Sequence, residues 1–286
     1  MKVLVTGVKG QLGHDVKNEL MTRGIETVGV DVDEMDITDE TAVREVIVRE
    51  NPDAVIHCAA WTAVDAAEDQ VEKCTLVNVK GTENIAKVCK DLSCKMMYIS
   101  TDYVFDGKGT RPWEPDDPVT EPLNVYGLTK YQGEVAVRSL VDRHFIVRIA
   151  WVFGKNGKNF VRTMLKLAEK YHRLTVVNDQ YGTPTYTYDL ARLLVDMILT
   201  DSYGTYHATN EGDYITWYDF ACEIFRQAGI EMEVAPVSAA EYAAKAKRPE
   251  NSRMNRNKLV EQGFVPLPDW KDALRRYLRE IAEQGE

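Results

Sequence analysis

No apolar run in the 286 residues approaches the roughly 18 needed to span a bilayer, and the chain enters a strand-like stretch within two residues. A cytoplasmic protein with no membrane partner is therefore expected. Cysteine is scarce: Cys58, Cys74, Cys89, Cys94 and Cys222 form an odd set without C-x-x-C spacing, which predicts neither a zinc site nor a disulfide framework but reduced thiols. Positive charge is also in deficit. A formal charge of -10 with Lys and Arg scattered leaves no basic stripe to neutralise phosphates, so no nucleic-acid partner is expected. Internal repeats, heptads and low-complexity tracts are missing as well.

Apolar residues, at 44%, suffice for one large core or two modest ones. Short β-rich runs at Lys2 to Thr6, Glu26 to Asp31, Ala54 to His57, Met96 to Ser100 and Phe145 to Ile149 alternate with helical stretches near 11–23, 39–50, 74–92 and 126–140. Parallel neighbours need crossover connections, so this alternation predicts an α/β fold: a Rossmann-type doubly wound parallel sheet. Further helices are expected near 160–170, 187–199, 216–228, 238–247 and 269–283, with S/T-x-x-E/D starts at Ser238 and Thr216. The expected division is a dinucleotide domain over 1–150, joined by returning segments near 175–200, and a smaller α/β substrate lobe made mainly of 151–286. Polar stretches at 155–159 and 245–256 read as flaps at the cleft between them.

The glycines Gly7, Gly10 and Gly13, spaced G-x-x-G-x-x-G, follow the first strand directly and open a helix. That order leaves backbone N–H groups and the positive end of a helix dipole where a dinucleotide pyrophosphate can sit. Gly7 is assigned to the tight turn, Gly10 to close approach of the phosphates, and Gly13 to packing of helix on strand. Asp31 ends the second strand 18 positions after Gly13, where an acid meets the adenosine ribose and repels a 2′-phosphate. NADH is thus slightly favoured over NADPH; Lys9, inside the loop, keeps dual use open. Asp36 is expected to reach the adenine amine, with Thr38 capping the next helix.

Ligands of such sheets lie beyond the carboxyl ends of the strands. After the third strand the small residues Ala59 and Ala60 would let a cofactor approach the backbone; after the fourth, Ser100 and Thr101 place hydroxyls at the sheet edge. Tyr126, alone among the 14 tyrosines, has a lysine four residues on, Lys130, one helical turn away on the same face. A phenol is a poor acid–base group at neutral pH, and a neighbouring ammonium would lower its pKa. The expected chemistry is carbonyl–alcohol redox: Thr101 hydrogen-bonds a carbonyl, Tyr126 exchanges its proton, and a nicotinamide exchanges the hydride.

These residues resemble the extended short-chain dehydrogenases/reductases, and within them the dTDP-4-dehydrorhamnose reductases. The resemblance covers nearly the whole chain: Gly10-Gln11-Leu12-Gly13, Ala59-Ala60-Trp61-Thr62-Ala63-Val64-Asp65, Ser100 to Phe105, Pro122 to Gly127, Trp151-Val152-Phe153, Asn178 to Gly182 and Arg248 to Arg253. It implies Thr101, Tyr126 and Lys130 as the catalytic set. Asp102 and Trp151 would face a dTDP-linked keto-deoxysugar, with Arg253 and Lys158 towards its diphosphate. Gly10, Gln11, Leu12, Asp31, Asp36, Ile37, Ala59, Ala60 and Trp61 would line the cofactor site. A homodimer is compatible with the resemblance. Trp61 stands where relatives often carry a smaller or polar residue. His14 stands where some carry an acid implicated in a metal-bridged dimer, so no metal is expected. Two other readings remain open: a reductase of a different nucleotide-linked 4-keto sugar, and a regulatory subunit that holds a dinucleotide without turning over.

Overall fold

The computed structural model describes residues 1–242 and 244–283. Five strands appear where the alternation places them: β1 (Lys2–Thr6), β2 (Glu26–Val30), β3 (Ala54–His57), β4 (Lys95–Thr101) and β5 (His144–Ile149). A sixth, Gly204–His207, was not legible in sequence; it joins the far edge beside β5. All pairings in this sheet are parallel, in the order β2, β1, β3, β4, β5, Gly204–His207. The chain runs outward from β1 to β2 and then restarts on the other side of β1 at β3. The crevice at that reversal lies at the carboxyl ends of β1 and β3, where a doubly wound sheet binds its ligand.

Burial on both faces explains why these strands read as apolar runs rather than alternations. Val3, Val5, Ile56, Met97 and Val147 pack on one face against Val16 and Leu20 of α1 (Gln11–Thr22) and against Leu190 and Leu194 of the helix Thr187–Ile198. Leu4, Val55, Met96, Tyr98 and Ile146 point to the other, against Val43 and Ile47 of α2 (Glu40–Glu50), Ile85 of the helix Thr82–Leu92 and Val137 of the helix Val125–Leu140. The predicted helix over 74–92 is divided: Val71–Thr75, one π-helical turn Leu76–Gly81, then Thr82–Leu92.

Residues from the second half return to the sheet at 187–208 and again through Leu259, Phe264 and Leu267. The stretch before them does not: Arg173–Val177 pairs in parallel with Glu233–Val237, in a separate two-stranded sheet. Around that sheet, Phe153, Phe220, Ile224, Trp270 and Tyr277 form the core of the second lobe. The helix expected over 238–247 is absent from its described residues; residue 243 lies outside them. Ser238 and Glu241 do make the capping hydrogen bonds, but the chain completes only a turn. Ala239 N–H is held by the Asp179 carboxylate and Ala246 N–H by Asp65 Oδ1, which stretch the segment across the cleft. Pro249 also biases the residue before it away from helix. At Thr216 the capping box forms and the helix Trp217–Ala228 follows.

Candidate active site

Two glycines are required by contact rather than by flexibility alone. Gly7 has φ +70°, and a Cβ there would stand 2.8 Å from the backbone of Ala59; a Cβ on Gly13 would stand 2.2 Å from the Gly7 carbonyl oxygen. The loop is thereby pressed between β3 and the start of α1. Thr6 completes the junction: its hydroxyl accepts from Ala59 N–H at 3.1 Å, leaving its proton for His57 Nδ1 at 2.8 Å. Burial holds His57 down to about 3, so the ring is neutral and its Nε2 faces Thr82.

Among the described residues no side chain caps α1, so the N–H groups of its first turn are left for a ligand. A cavity of about 660 Å³ opens there, walled by Gly7, Gly10, Gln11, Leu12 and Gly13. Asp31, Asp36 and Ile37 line its outer end, and Ala59 and Ala60 its side. Asp31 accepts from Lys9 N–H and Val32 N–H, both at 2.9 Å. The donor set, the glycine cradle and the apolar lining fit a nicotinamide dinucleotide.

Thr101, Asp102, Tyr126, Lys130 and Trp151 line the inner end of the same cavity. Gly127 lets the helix carrying Tyr126 settle on the chain after β4, since a Cβ would lie 2.1 Å from the Tyr103 carbonyl oxygen. Asn124 caps that helix through Gly127 N–H at 2.8 Å. Tyr126 and Thr101 stand side by side on that wall. Thr101 in turn donates to Asp102 Oδ1 at 2.9 Å, and Ser252 donates to Oδ2. In this arrangement the single Thr101 proton is committed to Asp102, so its oxygen is left only to accept.

The electrostatics differ from the sequence-based expectation at one point. Burial pushes the Tyr126 phenol up, with the Thr101 hydroxyl opposing and the Asp102 charge adding to the rise. Lys130 does not pull it down, because burial brings Lys130 itself down to about 7, with the Glu134 carboxylate opposing. Its ammonium stands 4.1 Å from the centre of the Tyr98 ring. Tyr126 therefore keeps its proton at neutral pH, the state needed to give one away. Asp102 is raised by burial to about 6, held from going higher by Ser252 and Thr101.

Trp151 has φ +50°, an uncommon backbone for a bulky residue, and stacks on Trp217 with ring centres 3.7 Å apart. Together they make a flat apolar wall, and Trp217 also lines a second cavity of about 750 Å³, whose lining includes Tyr242, Lys247 and Arg248. Arg248 binds Asp65 in a bidentate pair at 2.8 and 3.1 Å, tying the 245–256 segment to the chain after β3.

Three expected roles are placed differently. Trp61 is not on the cavity wall: its N–H is taken by Asn78 Oδ1 and its indole by Ala63 O, while Ala60 and Thr62 on either side do line the cavity. Arg253 lies outside both cavities, its guanidinium 4.1 Å from the Tyr181 ring centre and bonded to Asn251 Oδ1. Thr38 does not cap α2; Asp39 does, and Thr38 instead satisfies Asp36 Oδ1. Asn78, Glu134 and Ser252 were not foreseen. Asn78 ties Trp61 to Thr129 on the Tyr126 helix from the π-helical turn. Glu134, with no exposed surface, accepts from Ser100 at 2.6 Å and from Arg148 at 2.8 Å twice.

A family model described as the RmlD substrate binding domain matches residues 1–283. The Bacillus subtilis spore coat polysaccharide biosynthesis protein SpsK is 40% identical over 98% of this chain and 97% of its own length. A dTDP-4-dehydrorhamnose reductase of Streptomyces griseus is 40% identical over 95% of this chain and 91% of its own length. The crystal structure of dTDP-4-dehydrorhamnose reductase from Bacillus anthracis in complex with NADP superposes with a TM-score of 0.94 at 39% identity, covering 98% of this chain and 99% of that one.

Proposed function

The chain belongs to the RmlD substrate binding domain family, and from that premise and its cavity we propose that it is an NAD(P)H-dependent reductase of the C4 keto group of dTDP-4-dehydro-L-rhamnose. The observation that carries the reading is the placing of Tyr126 and Thr101 together at the inner end of the cavity whose outer end is the glycine cradle. A bound nicotinamide supplies a hydride to C4. Tyr126, held protonated by burial, gives its proton to O4, so that the carbonyl becomes a secondary alcohol. Asp102 holds the Thr101 hydroxyl beside the phenol, Lys130 reaches the nicotinamide ribose from the same helix face, and Trp151 with Trp217 bears the deoxysugar ring.

Residues 1–150 with the returning segments hold the dinucleotide in this reading, and the rest of 151–286 mainly holds the sugar nucleotide. The second cavity suits a nucleoside diphosphate: Tyr242 offers a stacking face, and Lys247 and Arg248 offer cations. Five free thiols fit a reducing cytoplasm, and among the described residues no helix is long and apolar enough to cross a membrane. Both dinucleotides are accepted, NADH better, because Asp31 lines the ribose end. Purified protein mixed with the sugar nucleotide and NADH or NADPH should lose the reduced-nicotinamide absorbance. No turnover with either cofactor overturns the assignment, and a panel of nucleotide-linked 4-keto sugars ranks the substrate.

A further inference from the structure

The segment after Phe153 belongs to the second half of the chain, yet it grips the glycine loop. Asn156 Nδ2 donates to the Lys9 carbonyl at 2.9 Å, and Asn159 Nδ2 donates to Gln11 Oε1 at 3.0 Å. Asn159 is also the N-cap of the helix Phe160–Ala168: its Oδ1 accepts from Arg162 N–H at 3.0 Å. A backbone N–H can only donate, so that contact fixes which end of the Asn159 amide is oxygen. Nδ2 must then face the acceptors on its other side, the Gly154 carbonyl at 2.9 Å and the Tyr277 hydroxyl at 2.9 Å, as well as Gln11, the three sharing its two hydrogens. Gln11 must answer a donor with its own oxygen. Its Nε2, with two hydrogens, is left on the opposite side of the amide, and Gln11 is part of the cavity wall beside the uncapped first turn of α1.

We propose that Asn159 is a positioning residue for cofactor binding: it turns the Gln11 amide so that its N–H donors face the dinucleotide pyrophosphate. The proposal rests on the dinucleotide reading of this cavity. Through Asn159 the second lobe acts on the cofactor without touching it, since the same side chain caps a helix of that lobe and meets Tyr277 of the helix Trp270–Glu283. The loop carrying it is fitted to the site: at Gly157, with φ +119°, an added Cβ would stand 3.4 Å from Gln11 Cγ.

Equilibrium binding of NADH, read by its fluorescence, tests this with wild type, Asn159→Ser, Gln11→Leu and the double variant. Serine keeps the helix cap and adds no charge, but it is too short to reach Gln11. Asn159→Ser is expected to weaken NADH binding about tenfold when Gln11 is present and by less than about twofold in the Gln11→Leu background. Equal factors in the two backgrounds overturn the proposal. Gln11→Glu leaves Asn159 untouched; its carboxylate accepts from Asn159 and turns a bare oxygen towards the phosphates, so it should bind NADH more weakly than Gln11→Leu. Binding as tight as that of Gln11→Leu, or tighter, overturns the orientation. Wild-type protein that binds neither NADH nor NADPH removes the dinucleotide reading itself, an outcome separate from a cycle without coupling.

Discussion

The hydroxyl of Ser252 donates to Oδ2 of Asp102, a residue 150 positions earlier in the chain. It brings the 245–256 segment into the hydrogen-bonded pair Asp102–Thr101, beside Tyr126 on the cavity wall. Burial raises Asp102 to about 6, and Ser252 is the first group that restrains the rise. The ionised carboxylate is the form that accepts the Thr101 proton and holds Thr101 beside the phenol, so kcat/KM should increase as pH rises through about 6. Ser252→Ala removes a restraint on the carboxyl and should move this limb upward by about one pH unit. A pH–rate profile checks it; a limb that stays in place contradicts the role given to Asp102.

Tyr126→Phe deletes the donor and leaves the ring. Turnover should fall about 10²-fold or more, because the proposed proton donor is lost. Dinucleotide affinity should be nearly unchanged, since the glycine cradle and Lys130 are intact. Single-turnover rates and NADH titration separate the two quantities. Turnover near that of wild type would mean that another group delivers the proton.

Lys130 carries a cost in the folded protein. Its folded value of about 7 lies below its ordinary 10.5, so between those pH values the unfolded chain binds more protons than the folded one. Stability should therefore rise with pH across that window, and below about 7 the burial penalty is fully present. Lys130→Met should raise the thermal midpoint of the cofactor-free protein at pH 6, flatten the gain between pH 6 and 9, and abolish efficient turnover. Thermal unfolding at the two pH values decides. A variant less stable than wild type at pH 6 would show that Glu134 and the Tyr98 ring more than compensate the desolvated ammonium. Glu134 itself is a poor probe of this point, because removing one partner of its buried pair with Arg148 costs about 3–5 kcal/mol.

What was legible in the sequence was what local periodicity and chain order determine. Five strands followed by turns placed Gly7, Asp31, Ala59 and Thr101 at one sheet edge, and helical spacing put Tyr126 and Lys130 on one face. Contacts made across the fold left no such trace. Asn78 reaches Trp61 and Thr129 because a π-helical turn alters the phase of its helix, and an uninterrupted period of 3.6 hides that turn. Ser252 and Asn159 meet Asp102 and Gln11 across 150 and 148 residues. The helix expected at 238–247 failed for the same reason: its capping bonds formed, and distant Asp65 and Asp179 then took the backbone. Gly204–His207 is a four-residue edge strand holding Gly, Thr and His, too short and polar to stand out.

Cofactor choice turns on Lys9, the one cation within the glycine loop. Its backbone N–H binds Asp31, but its ammonium is paired with Asp33, outside the loop. While Lys9 is paired with Asp33, less of its charge is available to a 2′-phosphate arriving beside Asp31, and the proposed preference for NADH rests on this pairing. Asp33→Asn removes the competing carboxylate and leaves Asp31 in place. The freed ammonium can then turn to the added phosphate, and kcat/KM for NADPH should rise about fivefold with that for NADH little changed. The gain should shrink at high salt, since both Lys9 and Asp33 are more than half exposed and their attraction is screened by ions. Initial rates with each dinucleotide at low and high salt measure it; a NADPH to NADH ratio unmoved by Asp33→Asn would place the discrimination on Asp31 alone.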